Sequence, residues 1–429
     1  MTYDSALEKI HSLLTFGSRP GLDRVKKLLR ELGDPQDRLK YIHVAGTNGK
    51  GSVCAMLSSA LVEAGYKTGL FISPYITDFR ERIQINNVPV GRDVLADAVE
   101  KTFPTVERLR ENGVIITEFE YVNALQFYIH ANAECDIVVL ETGMGGLLDC
   151  TNVIKPPLCS VITTIGLDHT AVLGDTIEKI AAQKCGIIKS GSVAITSAQD
   201  ERALEVIEHT AKELGVPLIR SDSVALEVIS QSLRGSEVRF KGKAFTIGLS
   251  GDHQIENAKT ALAALEALNK KQLISVGINS IADGFGKAVN PARLELLGDD
   301  PIVLLDGAHN PNGIEALKKA VGRFLPDKKL FCVTGMLADK DIDSSIKLLN
   351  GVFESVYTVP VNNPRAISAE ALAEKYKSAC ADVKSFARAE EAFDEALSKA
   401  SEENGAVLIC GSLYLAGEIR PYIISRLKK

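Results

Sequence analysis

The sequence predicts an α/β protein built on mostly parallel sheets. Apolar, strand-like runs alternate with helical patterns along almost all of its 429 residues, which is typical of parallel sheets. A glycine-rich loop joins the first of these runs to a helical pattern. Glycine and proline then interrupt the periodicity at 284–291, after which the alternation restarts. We therefore predict a larger domain over residues 1–290 and a smaller α/β domain over 291–429.

Each domain has its own set of predicted elements. In the first domain, short apolar runs predict strands at 41–45, 68–72, 136–141, 160–165 and 192–196. A stretch rich in β-branched residues, about 224–248, predicts a small antiparallel insertion, and an Ala/Leu pattern from Asp252 to Leu268 predicts a buried helix. In the second domain, strands are predicted at 301–305, 329–334, 355–360 and 406–410.

The composition excludes several classes of protein. A formal net charge of −6 leaves no basic excess for nucleic-acid binding. No apolar run approaches the roughly 20 residues of a membrane span, and the first residues do not have the pattern of a signal peptide. The eight cysteines form no C-x-x-C pair, which favours reduced thiols over a zinc site. We expect a cytoplasmic protein and, since no exposed apolar stripe is evident, a monomer.

The loop Gly46-Thr47-Asn48-Gly49-Lys50-Gly51-Ser52 is the most informative segment. It lies between a predicted strand and a helix that ends near Gly65, so several backbone N–H groups and a positive helix end meet at one point. The glycines allow close approach of phosphates, Lys50 supplies a cation, and Ser52 supplies a hydroxyl for Mg²⁺. We interpret the segment as a phosphate-binding loop (P-loop). The alternative is an ordinary glycine-rich turn.

Three polar residues follow predicted strands of the first domain. Glu141 ends a buried strand, Ser73 closes another, and His169 lies after a third. Carboxyl ends of parallel strands meet at the edge where ligands bind, so Glu141 and His169 are candidate magnesium ligands. The alternatives are a capping carboxylate, a structural histidine, and ordinary turn chemistry for Ser73.

Lys184 occupies an otherwise small and apolar helix end. Partial burial there would make its amine neutral more often and more nucleophilic. The alternative is a lysine that interacts with the negative end of the helix dipole.

A second polar cluster follows the first strand of the second domain, in Asp306-Gly307-Ala308-His309-Asn310. From residue type alone, Asp306 could accept a hydrogen bond from a ribose hydroxyl, and His309 could donate one to an anion. Ser412 follows the last predicted strand and is expected at the same edge of that sheet.

Six segments taken together resemble one known family. The chain is similar, from about residue 4 to its end, to the folylpolyglutamate synthase/dihydrofolate synthase members of the Mur ligase family. The segments that carry the resemblance are 46–52, 141–146, 148–152, 167–169, 306–311 and 335–341. The resemblance implies a Rossmann-like second domain. It also implies ATP-dependent ligation of L-glutamate to a folate carboxylate through an acyl phosphate, with dihydropteroate as a further acceptor.

The same resemblance assigns roles to individual residues. The ATP site would comprise Gly49, Lys50, Gly51, Ser52, Asn257, Arg293 and Asp306, and Mg²⁺ would be ligated by Ser73, Glu141 and His169. Lys184 matches a lysine that is carbamylated in the family, His309 and Ser412 match glutamate-binding positions, and Phe119 and Asp149 resemble pteroate contacts. Lys50, Lys184 and His309 are the expected catalytic residues.

Two other functions of different kinds are compatible with the phosphate-binding loop. Another Mur-type ligase would act on a UDP-linked precursor, but such enzymes carry a nucleotide-sugar domain ahead of the loop, and 45 residues precede Gly46 here. A non-catalytic ATP-binding switch would not need the polar cluster at 306–310. Tyr75 and Leu147 stand where bifunctional relatives often have His and Arg, which favours polyglutamylation over dihydrofolate synthesis.

Overall fold

A computed structural model describes residues 1–16 and 21–428. The strands of the first part are β1 (Tyr41–Ala45), β2 (Thr68–Phe71), β3 (Ile83–Ile85), β4 (Val88–Pro89), β5 (Ile137–Glu141), β6 (Cys159–Ile162), β7 (Ala194–Thr196), β8 (Leu218–Arg220), β9 (Glu227–Ser232), β10 (Gly235–Phe240) and β11 (Lys243–Ile247). Its helices are α1 (Tyr3–His11), α2 (Asp23–Glu31), α3 (Lys50–Glu63), α4 (Arg92–Glu111), α5 (Glu118–Asn132), α6 (Thr170–Leu173), α7 (Ile177–Cys185), α8 (Glu201–Glu213), α9 (Asp252–Lys270) and α10 (Ile278–Lys287).

The second part begins after α10. Its strands are β12 (Glu295–Asp299), β13 (Ile302–Leu305), β14 (Leu330–Thr334), β15 (Ser355–Thr358), β16 (Asp382–Ser385) and β17 (Ala406–Cys410). Its helices are α11 (Pro311–Phe324), α12 (Ile342–Leu348), α13 (Ala369–Tyr376), α14 (Ala389–Glu402) and α15 (Leu413–Leu427).

The first part is organised around a sheet in the order β4-β3-β2-β5-β1-β6-β7-β8. The strands β2, β5, β1, β6, β7 and β8 pair in parallel. An antiparallel hairpin of β3 and β4 extends the sheet beyond β2. The strand order reverses around β1, so the loops that follow β1, β5 and β6 open into one crevice. This arrangement brings the P-loop, Glu141 and His169 to the same edge.

The antiparallel insertion and the second sheet also follow the predicted architecture. Strands β9, β10 and β11 form a separate antiparallel sheet. The second α/β sheet has the order β12-β13-β17-β14-β15-β16, with β12 antiparallel and the other strands parallel. The direction of its strand order reverses around β13, β17 and β14. Asp306 and Ser412 follow the adjacent strands β13 and β17. The α/β fold class is confirmed.

Helix α3 forms the centre of the first core. Residues 52–61 of this helix are all buried, because the sheet covers one side while α9 and α10 cover the other. This part of the helix is therefore enclosed on all sides. Gly65 follows the helix with a φ of +89°, as the predicted C-terminal glycine should.

The predicted interruption at 284–291 is wrong for its first half, since α10 continues to Lys287. Gly284 serves close packing there: a Cβ at this position would lie 2.5 Å from the Cα of Ala60 on α3. The predicted domain boundary falls between α10 and β12. Within the described residues, none of the helices combines the length and apolar character required to cross a bilayer.

Strand bounds also differ from the predictions in places. The run at 160–165 forms β6 only to Ile162, because Thr163 leaves the sheet and donates a hydrogen bond from Oγ1 to the Asn48 carbonyl at 2.8 Å. The strands β3, β4, β8, β12 and β16 were not predicted.

Candidate active site

A cleft of about 530 Å³ lies where the carboxyl edges of the two α/β sheets face each other. One wall comes from the loops after β1, β2, β5 and β6, and the other from the loops after β13 and β17. The predicted residues that line the cleft are Gly49, Lys50, Gly51, Ser52, Ser73, Glu141, His169, Lys184, Asn257, Arg293, Asp306, His309 and Ser412. The structure therefore brings together thirteen residues predicted from separate segments of sequence.

The P-loop has the backbone geometry of a phosphate cradle. Gly49 is the N-cap of α3 with a φ of +88°, a conformation that favours glycine. A Cβ at Gly49 would lie 2.3 Å from Oδ1 of Asn257 on α9, so the loop and that helix are in close contact. Lys50 Nζ donates to the carbonyls of Gly46 and Thr47 at 3.1 and 3.2 Å, which places the cation over the loop.

Ser52 is buried at the start of α3, where its Oγ accepts a hydrogen bond from Asn290 Nδ2 at 3.0 Å. Asn257 is also buried, and its Nδ2 donates to Gln254 Oε1 at 2.9 Å. Both side chains are thus held in position by neighbouring amides. Asn290 was not predicted as a site residue, because it belongs to the segment read as a domain junction.

Glu141 is buried at the end of β5 beside Ser73. Its Oε2 accepts a hydrogen bond from the Ser73 backbone N–H at 3.2 Å. Burial raises the pKa of Glu141, although the positive charge of Lys50 opposes this effect. Within the described residues, its Oε1 has no hydrogen-bond donor. A cation in the cleft would compensate the cost of burying this carboxylate.

His169 lies at the start of α6 with a φ of +51°. Burial lowers its pKa, and the charges of Lys340, Lys50 and Lys184 act in the same direction while Asp168 opposes them. The imidazole is therefore biased toward the neutral form that can ligate a metal.

The donor set in this part of the cleft fits Mg²⁺. A carboxylate, a hydroxyl and an imidazole line the same wall as the P-loop, and Mg²⁺ commonly takes a few protein ligands, with water and substrate phosphates completing its coordination. No group of three or more His, Cys, Asp or Glu side chains suited to a metal occurs in the part of the chain described.

Lys184 is buried at the end of α7, and its Nζ donates to the Gly46 carbonyl at 2.7 Å. Burial lowers its pKa from 10.5 to about 7, and the charge of Lys50 contributes in the same direction. A large fraction of its amine is therefore neutral near pH 7. This supports the prediction of a desolvated lysine rather than one that interacts with a helix end.

Asp306 connects β13 to the segment that carries Arg293. Its Oδ2 accepts from the Leu294 N–H and its Oδ1 from the Ala308 N–H, both at 2.7 Å. Burial raises the pKa of this carboxyl, while the Arg293 charge opposes the shift. Asp306 therefore holds Arg293 and the following turn in the cleft wall.

His309 differs from the sequence expectation in its hydrogen-bonding role. Its Nδ1 lies 2.8 Å from the Gly307 carbonyl, which can only accept, so Nδ1 carries the proton. Burial, with a contribution from Lys340, lowers its pKa to about 4, so Nε2 has a free lone pair at neutral pH. At neutral pH the Nε2 of His309 can therefore accept a hydrogen bond in the cleft but cannot donate one to an anion.

Ser412 is buried as the N-cap of α15, where its Oγ accepts from the Tyr414 N–H at 3.1 Å. The start of this helix faces the cleft together with His309. A helix N-terminus favours a carboxylate ligand.

Phe119 and Asp149 do not line this cleft. Phe119 is half-buried and packs against the core beside Phe71, at a ring-centroid distance of 6.5 Å. The Asp149 carboxylate is buried and accepts from the Met144 N–H at 2.8 Å and from Thr151 Oγ1 at 2.6 Å. Asp149 therefore orders the loop that follows Glu141, and the Phe119 ring lies against Gly143 of the same loop.

A contact between the two domains was missed by the sequence reasoning. Lys340 Nζ lies 3.0 Å from Asp168 Oδ1, and both side chains are largely buried. Asn310 Nδ2 donates to Asp168 Oδ2 at 3.3 Å. Asp168 belongs to the first domain, whereas Lys340 and Asn310 belong to the second. Asp168 and Lys340 both lie in segments that carry the family resemblance, and this could have indicated that they belong to the site.

Comparison with known proteins decides the family. Residues 44–265 match the Mur ligase middle domain, and residues 292–413 match the Mur ligase, glutamate ligase domain. A dihydrofolate synthase/folylpolyglutamate synthase of Bacillus subtilis is 37% identical over 97% of this chain and 98% of its own length. The chain belongs to the folylpolyglutamate synthase/dihydrofolate synthase group of the Mur ligase family. The predicted resemblance is confirmed.

Other members of the group agree with this assignment. A folylpolyglutamate synthase of Lacticaseibacillus casei is 34% identical over 99% of both chains. A Mycobacterium tuberculosis folylpolyglutamate synthase solved with ADP and AMPPCP matches with a TM-score of 0.89 and 31% identity, covering 98% of this chain and 99% of that one. E. coli FolC in complex with DHPP and ADP matches with a TM-score of 0.87 and 31% identity, covering 99% and 98%. The prediction of an ATP-dependent ligase of this family is therefore confirmed.

Proposed function

We propose that this protein uses ATP to join L-glutamate to the γ-carboxylate of a folyl-(poly)glutamate, releasing ADP and phosphate. The observation that carries the proposal is the shared cleft, in which a P-loop on one sheet faces His309 and Ser412 on the other. A ligase needs this arrangement because the activated acid and the incoming amine must meet at one point.

The first step activates the acceptor. A carboxylate oxygen attacks the γ-phosphorus of ATP, which forms an acyl phosphate and releases ADP. The P-loop N–H groups and Lys50 would hold the phosphates and neutralise charge as it develops on the transferred group. Asn257, Arg293 and Asp306 would hold the remainder of the nucleotide.

Mg²⁺, ligated by Ser73, Glu141 and His169, would supply additional charge neutralisation at the phosphates. The buried Glu141 carboxylate and the neutral His169 imidazole support this ligand set. Lys184 would react as a neutral amine with carbon dioxide to form a carbamate and release a proton. Its lowered pKa supports this modification, which converts a cation beside the P-loop into an anion compatible with metal.

The second step forms the amide. The amine of glutamate attacks the acyl carbon, and the carbon–oxygen bond to phosphate breaks. The glutamate ammonium must first lose a proton to solvent, and the free Nε2 of His309 would accept a hydrogen bond from the resulting amine. The N-terminus of α15, with Ser412, would bind a glutamate carboxylate.

Dihydropteroate is a second candidate acceptor, because relatives with both activities are similar along the whole chain. Phe119 and Asp149 would contribute to the pteroate side. Tyr75, half-buried beside Phe79 at a ring-centroid distance of 5.7 Å, occupies the position where bifunctional members often have His.

An ADP-release assay with a panel of acceptors tests the proposed function. With ATP, Mg²⁺ and L-glutamate, tetrahydrofolate should give turnover, and dihydropteroate decides whether the second activity is present. A UDP-muramyl substrate serves as the control for another Mur-type activity. Turnover with the UDP-linked substrate and none with either folate acceptor would overturn the proposal.

We further propose a division into domains at 1–290 and 291–429 and a monomeric, cytoplasmic protein that binds small molecules rather than nucleic acid. Eight free, buried cysteines support a reducing environment. Sedimentation of the purified protein at the mass of one chain would agree with the monomer, and a stable dimer would contradict it.

A further inference from the structure

Arg82 lies next to the segment that brings Ser73 into the cleft wall, has no carboxylate partner among the described residues, and has no role in the proposed mechanism. It closes the 3₁₀ turn Phe79–Arg82, and its backbone carbonyl accepts from the Ile72 N–H at 3.1 Å, one residue before Ser73. Its Nε is buried without a hydrogen-bond partner, and no described residue forms an ion pair with its guanidinium. A buried guanidinium nitrogen without a hydrogen-bond partner costs free energy unless an acceptor satisfies it.

The surroundings of Arg82 are aromatic. Its guanidinium carbon lies 5.2 Å from the ring centroid of Tyr75 and 5.7 Å from that of Phe79. Tyr414, a half-exposed residue of the second domain that lines the cleft, is also close enough to influence its pKa. The two ring contacts come from the first domain, and the influence of Tyr414 shows that the guanidinium lies on the side that faces the second domain.

The nearby carboxylates are already engaged. Glu118 accepts from His11 Nδ1 at 3.2 Å, and Glu141 accepts from the Ser73 backbone. Arg80 on the same turn provides a contrast, because it forms an ion pair with Asp78 at 2.7 Å. Of these two arginines on one turn, only Arg82 lacks a carboxylate partner within the described residues.

The sheet order places Arg82 relative to the reacting groups. Along the edge, the strands β1, β5, β2 and β3 present in turn the P-loop, Glu141, Ser73 and Arg82. A γ-phosphate at the P-loop and an acceptor carboxylate beside Glu141 and Ser73 would leave Arg82 just beyond the reacting carboxylate. The Tyr75 and Phe79 rings add an apolar wall on that side.

We propose that Arg82 binds the non-reacting α-carboxylate of the acceptor's terminal glutamyl residue. This inference rests on the proposed function. A glutamyl acceptor carries two carboxylates, of which only the γ-carboxylate is phosphorylated, and its α-carboxylate would otherwise lie unpaired near Glu141 and the phosphates. A guanidinium can bind such a carboxylate through two parallel hydrogen bonds. Dihydropteroate has only its reacting carboxylate, so Arg82 would select glutamyl acceptors specifically.

Two acceptors that differ in one group give the direct test. Tetrahydrofolate is compared with an analogue in which 4-aminobutyrate replaces glutamate, which keeps the reacting carboxylate and removes the α-carboxylate. Their Kd values are measured by calorimetry in the presence of a non-hydrolysable ATP analogue. The wild-type protein should bind tetrahydrofolate roughly 10- to 100-fold more tightly than the analogue.

Variants assign that difference to Arg82. In Arg82→Met the two ligands should bind within about twofold of each other, and Arg82→Lys should retain part of the preference. Arg92→Met is the matched control, since Arg92 is an exposed arginine 5.1 Å from the Tyr3 ring and outside the cleft. It should keep the wild-type ratio. Thermal unfolding of each variant shows whether the fold is retained. The comparison of the two acceptors on the wild-type protein does not depend on any variant.

Three results would overturn the proposal. They are equal binding of the two acceptors by the wild type, equal weakening of both by Arg82→Met, and a rise in KM for L-glutamate in Arg82→Met. In each of these cases the proposed ligase function still stands. A wild-type protein that binds the ATP analogue but neither acceptor would refute the proposed function itself and the Arg82 assignment with it.

Discussion

At the scale of single residues, burial determines the chemistry of the cleft. Desolvation lowers the pKa of Lys184 and His309 and raises that of Glu141 and Asp306. Glu141, Asp306 and His309 could be selected from the sequence because they lie at the carboxyl ends of strands, and Lys184 because its helix end is otherwise small and apolar. Their protonation states could not, since they depend on the atoms that enclose each group. The role of His309 as an acceptor emerged only from its contact with the Gly307 carbonyl.

Lys50 should be required for phosphoryl transfer. Lys50→Ala removes the cation above the P-loop, so kcat for ADP release should fall by roughly 100- to 1,000-fold. Lys212→Ala, which alters an exposed lysine on α8, is the control and should retain wild-type activity. Activity of Lys50→Ala within about tenfold of wild type would contradict the role given to the loop.

Burial of Lys184 should make stability depend on pH. Its pKa is about 7 in the folded protein and 10.5 as the ordinary value. Between these limits the unfolded state binds more protons, so the cost of burial is fully present below about pH 7 and disappears as the pH rises toward 10.5.

Urea unfolding in carbon-dioxide-free buffer measures this effect. The free energy of unfolding of the wild type, relative to Lys184→Met, should increase from pH 7 toward pH 10 by roughly 1.4 kcal/mol for each unit of pKa shift. A difference that stays constant with pH would show that Lys184 is not desolvated.

At the scale of elements, strongly patterned segments were predicted and weakly patterned ones were not. The central strands are continuous apolar runs because helices cover both faces of the sheet. Strand β16, Asp-Val-Lys-Ser, lies at a sheet edge and is mostly exposed, so its sequence has no apolar run. The hairpin of β3 and β4 offered a missed signal, since Asn86 and Asn87 both adopt positive φ in its turn.

The start of α3 should depend on glycine at position 49. Gly49→Ala combines a φ of +88° with a Cβ only 2.3 Å from Asn257 Oδ1, so the loop must shift. We expect roughly 10- to 100-fold weaker ATP binding, because small displacements at a phosphate site are costly.

Gly65→Ala is the matched control at the other end of the same helix. Its φ of +89° is almost the same, but nothing lies within 4 Å of the added Cβ. It should lose about 1 kcal/mol of stability with unchanged ATP binding. Calorimetry of ATP binding to both variants distinguishes the effect of a strained backbone from that of a displaced loop. Equal ATP affinities for the two variants would contradict the role of Gly49 in the phosphate loop.

At the scale of the whole molecule, the two sheets cooperate through a buried ion pair. Burial opposes ionisation of Asp168, yet the charges of His169 and Lys340 hold the pKa of its carboxyl below the ordinary value. The Asp168–Lys340 pair thus connects the metal-side loop to the second domain. The sequence indicated both segments, but a contact across 172 residues requires the folded arrangement of domains.

Breaking this pair should impair domain closure. Lys340→Met leaves Asp168 buried without its partner, so stability should fall by about 3 kcal/mol and kcat by roughly tenfold or more, with little change in KM for ATP. The double variant Asp168→Asn/Lys340→Met should recover much of the stability. Arg234→Met removes the exposed interdomain pair with Asp299 and should cost less than about 1 kcal/mol. Additive losses in the double variant would contradict the coupling.

In the proposed reaction the cleft phosphorylates a carboxylate and then transfers its acyl group to glutamate. The most direct measurement uses a folate acceptor labelled with ¹⁸O in its γ-carboxylate, and follows the label into inorganic phosphate by mass spectrometry during turnover with ATP and L-glutamate. An acyl phosphate predicts one ¹⁸O atom in each phosphate released, since the bridging oxygen leaves with phosphorus. Phosphate that contains no label while amide product accumulates would contradict an acyl phosphate intermediate.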